Sequence, residues 1–144
     1  MSGKTFVDTN VLIYAHDSHA GRKQETAARV LEELWDAREG VLSAQVLQEF
    51  YVNVTRKIPA PLSRGTARGI LGIYSSWTVE VAGPREILRA SEIEERYRIG
   101  FWDALIVATA AKAGAKRILS EDMNSGQVIE GLRLENPFAA DSRK

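Results

Sequence analysis

The chain has 144 residues and 44% hydrophobic content, enough for one domain of ordinary size that buries a core without covalent staples. It contains no cysteine, which excludes disulfides, thiolate nucleophiles and thiolate zinc sites. Its 19 basic and 19 acidic residues cancel, which argues against indiscriminate binding of polyanions through net charge. No apolar stretch is long enough for a signal peptide or a membrane span, so we expect a cytoplasmic protein without membrane contact.

Short apolar runs alternate with helical patterns in the first half of the chain. The run at 5–7 is β-branched and aromatic, as in a strand, and Thr9 and Asn10 can cap the helix that follows. Gly40 is expected to stop the second helix. In chain order, the sequence predicts strand 5–7, helix 11–15, helix 22–38, strand 41–43, helix 45–57 and helix 66–74.

The second half continues the same rhythm. Pro84 stands at the favoured first turn of a helix that Gly100 is expected to end. The helix that follows is apolar on nearly every side and should be buried. The expected elements are strand 78–81, helix 85–98, helix 103–114, strand 117–119 and a short edge strand at 132–134. This alternation predicts an α/β fold with a mostly parallel central sheet.

Four acidic residues lie at the ends or borders of helices and strands that are expected to be buried. Asp8 and Asp122 follow strands, and ligands of open α/β sheets bind beyond the carboxyl ends of parallel strands. Asp103 opens the most apolar helix, and Glu49 lies in a polar row beside an apolar stripe. Buried carboxylates need a partner, so their convergence predicts a bound divalent cation.

Each acid also has an ordinary explanation when it is taken singly. Asp8 could be a helix cap, Asp103 a charge favoured by the helix dipole, and Asp122 a turn residue. Glu49 could lie on a solvated helix face. Capping and turn acids are common, so the metal site depends on the four acting together.

The contexts of these acids carry a resemblance that covers the chain from near its start to Phe138. The matching blocks are FVDTNVLIYAHD, SAQVLQEFYVNVTRK, GFWDALIVATAAKAG and ILSEDMNSGQVIEGLRLENPF. In these blocks the sequence resembles the PIN-domain family, and within it the VapC-type ribonuclease toxins of type II toxin-antitoxin systems. The resemblance implies a single PIN-like nuclease domain over 1–144, with a three-layer arrangement of helices around the sheet.

The resemblance also implies a site and a reaction. Asp8, Glu49, Asp103 and Asp122 fall on the family's metal-binding and catalytic positions, where Mg²⁺ or Mn²⁺ supports hydrolysis of RNA phosphodiester bonds. Many relatives carry another acid where this chain has Asn124, which leaves open whether one or two metals bind. The expected partners that orient the carboxylates are Thr9, Asn10, Ser120 and Asn124.

Basic residues around such a site are needed to guide RNA past the carboxylates. The candidates are Arg56, Lys57, Arg64, Arg68, Lys112, Lys116 and Arg117. The tryptophans are flanked by aliphatic residues and are expected in the core or at an interface. As partners, the resemblance implies a second copy of the chain in a homodimer and a small antitoxin, with 50–54 and 70–74 as contact surfaces.

Two other functions remain open from the sequence. A PIN-like module could bind RNA or protein without cutting, although four intact acids weigh against it. Asp8 could also be the nucleophile of an aspartyl phosphatase, but such enzymes want a second Asp where this chain has Asn10. His16 and His19 are too close in sequence to act on opposite sides of a phosphate, so a metal-free route is disfavoured.

Overall fold

The computed structural model of the chain describes residues 3–139, which contain six strands and six helices. Their bounds in chain order are β1 (Thr5–Val7), α1 (Thr9–Ala15), α2 (Arg22–Ala37), β2 (Gly40–Ser43), α3 (Ala44–Arg56), α4 (Arg64–Tyr74), β3 (Thr78–Glu80), α5 (Pro84–Tyr97), α6 (Phe101–Lys112), β4 (Arg117–Leu119), β5 (Val128–Ile129) and β6 (Leu132–Glu135). The predicted α/β class is confirmed.

The strands form one sheet in the order β3-β2-β1-β4-β6-β5. All neighbours pair in parallel except β5 and β6, which are antiparallel. The chain builds the sheet outward from β1 to β3 and then returns to the other side of β1 with β4. The order therefore reverses between β1 and β4, and a crevice opens at the carboxyl ends of those two strands.

The core lies between the sheet and its helices. Phe6 of β1, Leu42 of β2 and Ile118 of β4 are fully buried. Six of the twelve residues of α6 are buried, fewer than its apolar sequence predicts, and the helix packs chiefly against α5. At its N-terminal end, the side chain of Trp102 is exposed. None of the helices within residues 3–139 combines the length and the apolar character that crossing a membrane requires.

The two glycines predicted to end helices, Gly40 and Gly100, do not end them. Arg38 and Arg98 terminate α2 and α5 in the left-handed conformation, with φ of 58° and 57°. Gly40 is already the first residue of β2, and Gly100 is the N-cap of α6. The strand predicted at 132–134 corresponds to β6. It is not at the edge of the sheet, because β5 pairs with its outer side.

Gly40 is required by a close approach, which leads to a prediction. A Cβ at this position would meet the Trp77 ring at 2.2 Å. We expect Gly40→Ala to destabilise the protein by about 1–3 kcal/mol, the usual cost of overpacking a filled site. Gly72→Ala is the control, because it lies in α4 with nothing within 4 Å of the added carbon. In urea unfolding, the midpoint should fall in Gly40→Ala and rise in Gly72→Ala, because alanine favours a helix more than glycine does. Equal midpoints would contradict the role of the Trp77 contact.

His16 is expected to make the stability of the protein depend on pH. Its ring packs edge-on against Phe50 and Tyr74, and its Nε2 lies 2.9 Å from the Tyr74 hydroxyl. Burial lowers the pKa of His16, and burial raises the pKa of Tyr74 to about 12. The folded state disfavours the protonated imidazole. The contribution of neutral His16 to the free energy of unfolding is therefore fully present above about pH 6.5, the ordinary pKa of histidine. It is lost as the pH falls below that value.

The measurement is the unfolding free energy between pH 7.5 and pH 5. His16→Gln should flatten this profile on the acid side, because no imidazole remains to be protonated. His19→Gln, which changes an exposed histidine three positions away, should leave the profile as in the unmodified protein. Identical profiles for all three proteins would remove His16 as the source.

Candidate active site

All four predicted acids line one cavity at the carboxyl ends of β1 and β4. Asp8 directly follows β1, and Asp122 lies three residues after β4. Glu49 reaches the cavity from the middle of α3, and Asp103 reaches it from the first turn of α6. The structure therefore brings together the acids that the sequence scattered over more than a hundred positions.

Asp8 is the fixed centre of the cluster. It is the N-cap of α1 and only 7% exposed. One carboxylate oxygen accepts a hydrogen bond from the Thr9 amide at 2.7 Å, and the other accepts one from the Ser120 hydroxyl at 2.8 Å. Capping alone explains only the first bond. The second ties β1 to the end of β4 and fixes the orientation of the carboxylate.

Glu49 is held by a polar row on α3, as its sequence spacing indicates. Thr9 Oγ1 donates to one carboxylate oxygen at 2.8 Å, and Gln45 Nε2 lies 3.3 Å from the other. Asn53 completes the row by donating to the Glu49 backbone carbonyl at 2.8 Å. Thr9 therefore contacts two acids, Asp8 through its amide and Glu49 through its hydroxyl.

Asp122 is held from α1 and from its own loop. Asn10 Nδ2 donates to Asp122 Oδ2 at 3.0 Å, and the Asp122 amide donates to the Ser120 hydroxyl at 3.2 Å. Three of the residues predicted to orient the acids thus make such contacts. Asn124, the fourth, lies 3.4 Å from the Gln127 side chain instead and does not line the cavity.

The electrostatics of the cluster are those of crowded anions. Burial raises the pKa of Asp8, and repulsion from Asp103 and Asp122 adds to it, against hydrogen bonds from Ser120 and Thr9 that lower it. Burial raises the pKa of Asp103 too, with repulsion from Asp122 second. Among residues 3–139 no Lys, Arg or His forms an ion pair with any of the four acids. The cluster is therefore short of positive charge.

This donor set suits a hard divalent cation. Carboxylate oxygens with side-chain amides nearby are the ligands that Mg²⁺ and Mn²⁺ prefer. In the described part of the chain, no three acidic or imidazole groups stand close enough to hold an ion in the arrangement seen. Direct coordination by only one or two carboxylates, with water in the other positions, is how Mg²⁺ is commonly bound.

The cavity is also lined by Lys57, which was predicted to bind RNA, and by Trp102, which was not predicted at the site. Lys57 was predicted and lines the cavity, whereas Lys112 and Arg117 form ion pairs with acids outside it. Trp102 was expected in the core or at an interface, yet it lines the cavity and is 64% exposed. Its neighbour Asp103 was the only local signal that could have placed it at the site.

Solved structures that share the fold of this chain include a toxin and toxin-antitoxin complexes. A toxin-antitoxin complex from Klebsiella pneumoniae superposes with a TM-score of 0.69 and 20% identity, covering 93% of this chain and 98% of the other. VapC20 of Mycobacterium tuberculosis, a toxin that cleaves the sarcin-ricin loop, gives a TM-score of 0.61 and 23% identity over 80% and 87%. VapBC2 from Rickettsia felis, bound to a DNA fragment from its promoter, gives 0.63 and 21% over 92% and 97%. At these identities the likeness establishes the fold.

Sequence comparison establishes the family. No significant match was found among curated protein sequences. The model of the PIN domain matches residues 5–128, which includes all four acids, every strand from β1 to β4 and all six helices. The chain therefore belongs to the PIN domain family.

Proposed function

We propose that this protein is a metal-dependent endoribonuclease. The observation that carries the proposal is the convergence of four carboxylates, one of them buried, on a crevice that contains no paired cation among the described residues. Membership of the PIN domain family supports it, as does the likeness to toxins, one of which cleaves RNA. An aspartyl phosphatase is not favoured, because Asn10 has no carboxyl group where such enzymes want a second Asp, and its side-chain amide donates to Asp122.

The residues divide into those that hold a metal and those that orient them. Asp8, Glu49, Asp103 and Asp122 would hold Mg²⁺, or Mn²⁺ as a substitute, with one or two of the carboxylates bound directly and the others through water. When bound, the ion supplies an activated water and neutralises charge on the phosphate during hydrolysis. Thr9, Asn10 and Ser120 hold the carboxylates through the hydrogen bonds already described, so the ligands do not have to be ordered when the ion and substrate arrive.

RNA would approach the cavity past the C-terminal end of α3, where Lys57 stands. Lys57 lines the cavity, and Arg56, Arg64 and Arg68 are exposed on α3 and α4. None of these four forms an ion pair within residues 3–139, so they can neutralise phosphates without losing a protein partner. Lys116 does not line the cavity, and Lys112 and Arg117 are already engaged.

Trp102 adds a surface on which a base can stack, and this can be tested. Its ring stands edge-on against Phe101 at 5.3 Å in the first turn of α6. Stacking on an aromatic side chain contributes about 1–3 kcal/mol per base, so Trp102→Ala should raise KM by about tenfold or more. Trp102→Phe should restore most of the loss. A KM unchanged in both variants would show that no base stacks there.

The cellular role we propose is that of the toxin in a toxin-antitoxin pair, acting as a homodimer held inactive by an antitoxin. Likeness to toxin-antitoxin complexes supports this role. Of the expected contact segments, Phe50 and Val54 are buried in the core, whereas Ile73 is 56% exposed beside a groove between α2 and α4. That groove is the better candidate for the antitoxin. Light scattering of the isolated protein at high concentration tests the dimer, and a monomeric mass would contradict it.

The decisive experiment is to map RNA ends after expression of the unmodified protein and of Asp8→Asn in parallel. New 5′-phosphate ends that require Asp8 would establish the endoribonuclease and identify the RNA that it cuts. Binding of RNA by both proteins with no new ends, and no cleavage of any RNA with Mg²⁺ or Mn²⁺ in vitro, would instead establish a non-catalytic binding module.

A further inference from the structure

The loop after β4 carries two consecutive acids that point to different surroundings. Asp122 lines the acidic cavity, whereas Glu121 does not. Both oxygens of Glu121 are occupied: Oε1 accepts a hydrogen bond from the Tyr14 hydroxyl at 2.6 Å, and Oε2 forms an ion pair with Lys23. Glu121 is therefore attached to α1 and α2 and is not a fifth ligand of the cavity.

Helix α1 holds both acids through residues one turn apart. Asn10 donates to Asp122 at 3.0 Å, and Tyr14, four positions later, donates to Glu121 at 2.6 Å. Residues at this spacing lie on one face of a helix. Two adjacent residues of the loop are thus fastened to two adjacent turns of α1, which fixes the loop both in position and in rotation.

The Tyr14 end of this attachment is itself braced. The Lys23 ammonium lies 4.9 Å from the centre of the Tyr14 ring and 5.8 Å from that of Phe138. The Tyr14 and Phe138 rings meet edge to face at 5.2 Å. Lys23 therefore holds Glu121 by charge and Tyr14 by a cation-π contact, so loss of either partner loosens the other.

We propose that Tyr14, Lys23 and Glu121 are positioning residues, which keep Asp122 in the metal cavity without touching the metal themselves. The inference rests on the proposed metal site and concerns a carboxylate that burial does not hold in place, since Asp122 is exposed while Asp8 is buried. If the cluster loosens, the Asp122 carboxylate leaves its place, and the cavity holds a divalent cation less tightly.

The chain contains a matched control for this cluster. Tyr97 donates to Glu130 at 3.1 Å, and Arg89 forms an ion pair with the same carboxylate. This second combination of tyrosine, glutamate and cation fastens the turn between β5 and β6 to α5. None of its three members lines the acidic cavity. Tyr97→Phe therefore removes the same hydroxyl from the same kind of contact, but away from the site.

The test is Mn²⁺ binding to the folded protein without RNA, measured by calorimetry. Tyr14→Phe should weaken Mn²⁺ binding about tenfold, the lower end of the usual effect of residues that orient metal ligands. Lys23→Met should do the same, whereas Lys23→Arg, which keeps the charge, should retain most of the affinity. Tyr97→Phe should bind Mn²⁺ as the unmodified protein does. Thermal midpoints measured without metal should fall by similar small amounts in both tyrosine variants.

The outcomes separate this inference from the proposed function. Unchanged Mn²⁺ affinity in Tyr14→Phe and Lys23→Met, with normal binding by the unmodified protein, overturns the positioning role and leaves the metal site intact. An equal loss in Tyr97→Phe also overturns it, because the effect would then be general loosening. Absence of Mn²⁺ binding in the unmodified protein overturns the metal site itself. If Tyr14→Phe does not fold, Lys23→Met compared with Lys23→Arg decides.

Discussion

Replacing Asp8 by asparagine is expected to abolish Mg²⁺-dependent RNA cleavage, with a loss of at least about 10³-fold in kcat, or about 4 kcal/mol of transition-state stabilisation. Asp8 is the buried centre of the cluster, and the charge that it contributes has no substitute at that position. The fold should survive. An asparagine oxygen can still accept from the Thr9 amide, and the Ser120 hydroxyl can rotate to accept from the new amide group.

The control for this prediction is another aspartate with low exposure. Asp17 is 9% exposed and accepts a hydrogen bond from the His19 amide at 2.9 Å, but it does not line the acidic cavity. Asp17→Asn should therefore keep cleavage activity close to that of the unmodified protein. Full activity in purified Asp8→Asn would sink the mechanism. Equal inactivation by both substitutions would point to damage of the fold, which circular dichroism and the thermal midpoint would reveal.

The sequence predicted the layers of the fold because apolar periodicity reports burial locally. Strands 5–7 and 117–119 match β1 and β4 at both ends, and the apolar helix beginning near Asp103 corresponds to α6, of which six of twelve residues are buried. The helix ends were harder to predict. Arg38 and Arg98 adopt left-handed conformations that arginine rarely takes, so the signal was placed on the nearest glycines. Gly40 is fixed by the Trp77 ring, a contact that no local pattern reveals.

The candidate site was predictable only in part, for a similar reason. Strand ends and family resemblance placed Asp122 among the four acids, but neither gave a role to the adjacent Glu121, which stands in the same polar loop. Only the tertiary contacts of Tyr14 and Lys23 assign Glu121 to the loop attachment. Likewise, the exposure of Trp102 depends on where α6 begins relative to the cavity, and its aliphatic neighbours in sequence suggested the opposite.

Replacing Asp103 by asparagine is expected to separate metal binding from folding. Burial raises the pKa of Asp103, and repulsion from Asp122 adds to it. A group whose pKa is raised on folding destabilises the native state when it is ionised, so at pH 7 the metal-free Asp103→Asn protein should be slightly more stable than the unmodified one. This stability difference should shrink as the pH falls toward the ordinary pKa of aspartate, because Asp103 is then protonated and both proteins have a neutral side chain at position 103.

Metal should reverse the order of the two proteins. A ligand at about 100 times its Kd stabilises a native protein by about 2.7 kcal/mol, which for a chain of this size raises Tm by roughly 5–10 °C. We expect saturating Mn²⁺ to raise the Tm of the unmodified protein by such an amount and that of Asp103→Asn by far less, because the variant has lost a ligand. Asp36→Asn, which removes an exposed charge on α2, should respond like the unmodified protein.

The two measurements together distinguish a ligand from a structural acid. If Asp103 served only to favour the N-terminus of α6, its loss would lower the metal-free Tm by several degrees and leave the Mn²⁺ response intact. If it is a ligand held against the repulsion of Asp122, the metal-free Tm is maintained or raised and the response is lost. Because the two roles predict opposite signs in both experiments, one set of melting curves with and without Mn²⁺ decides between them.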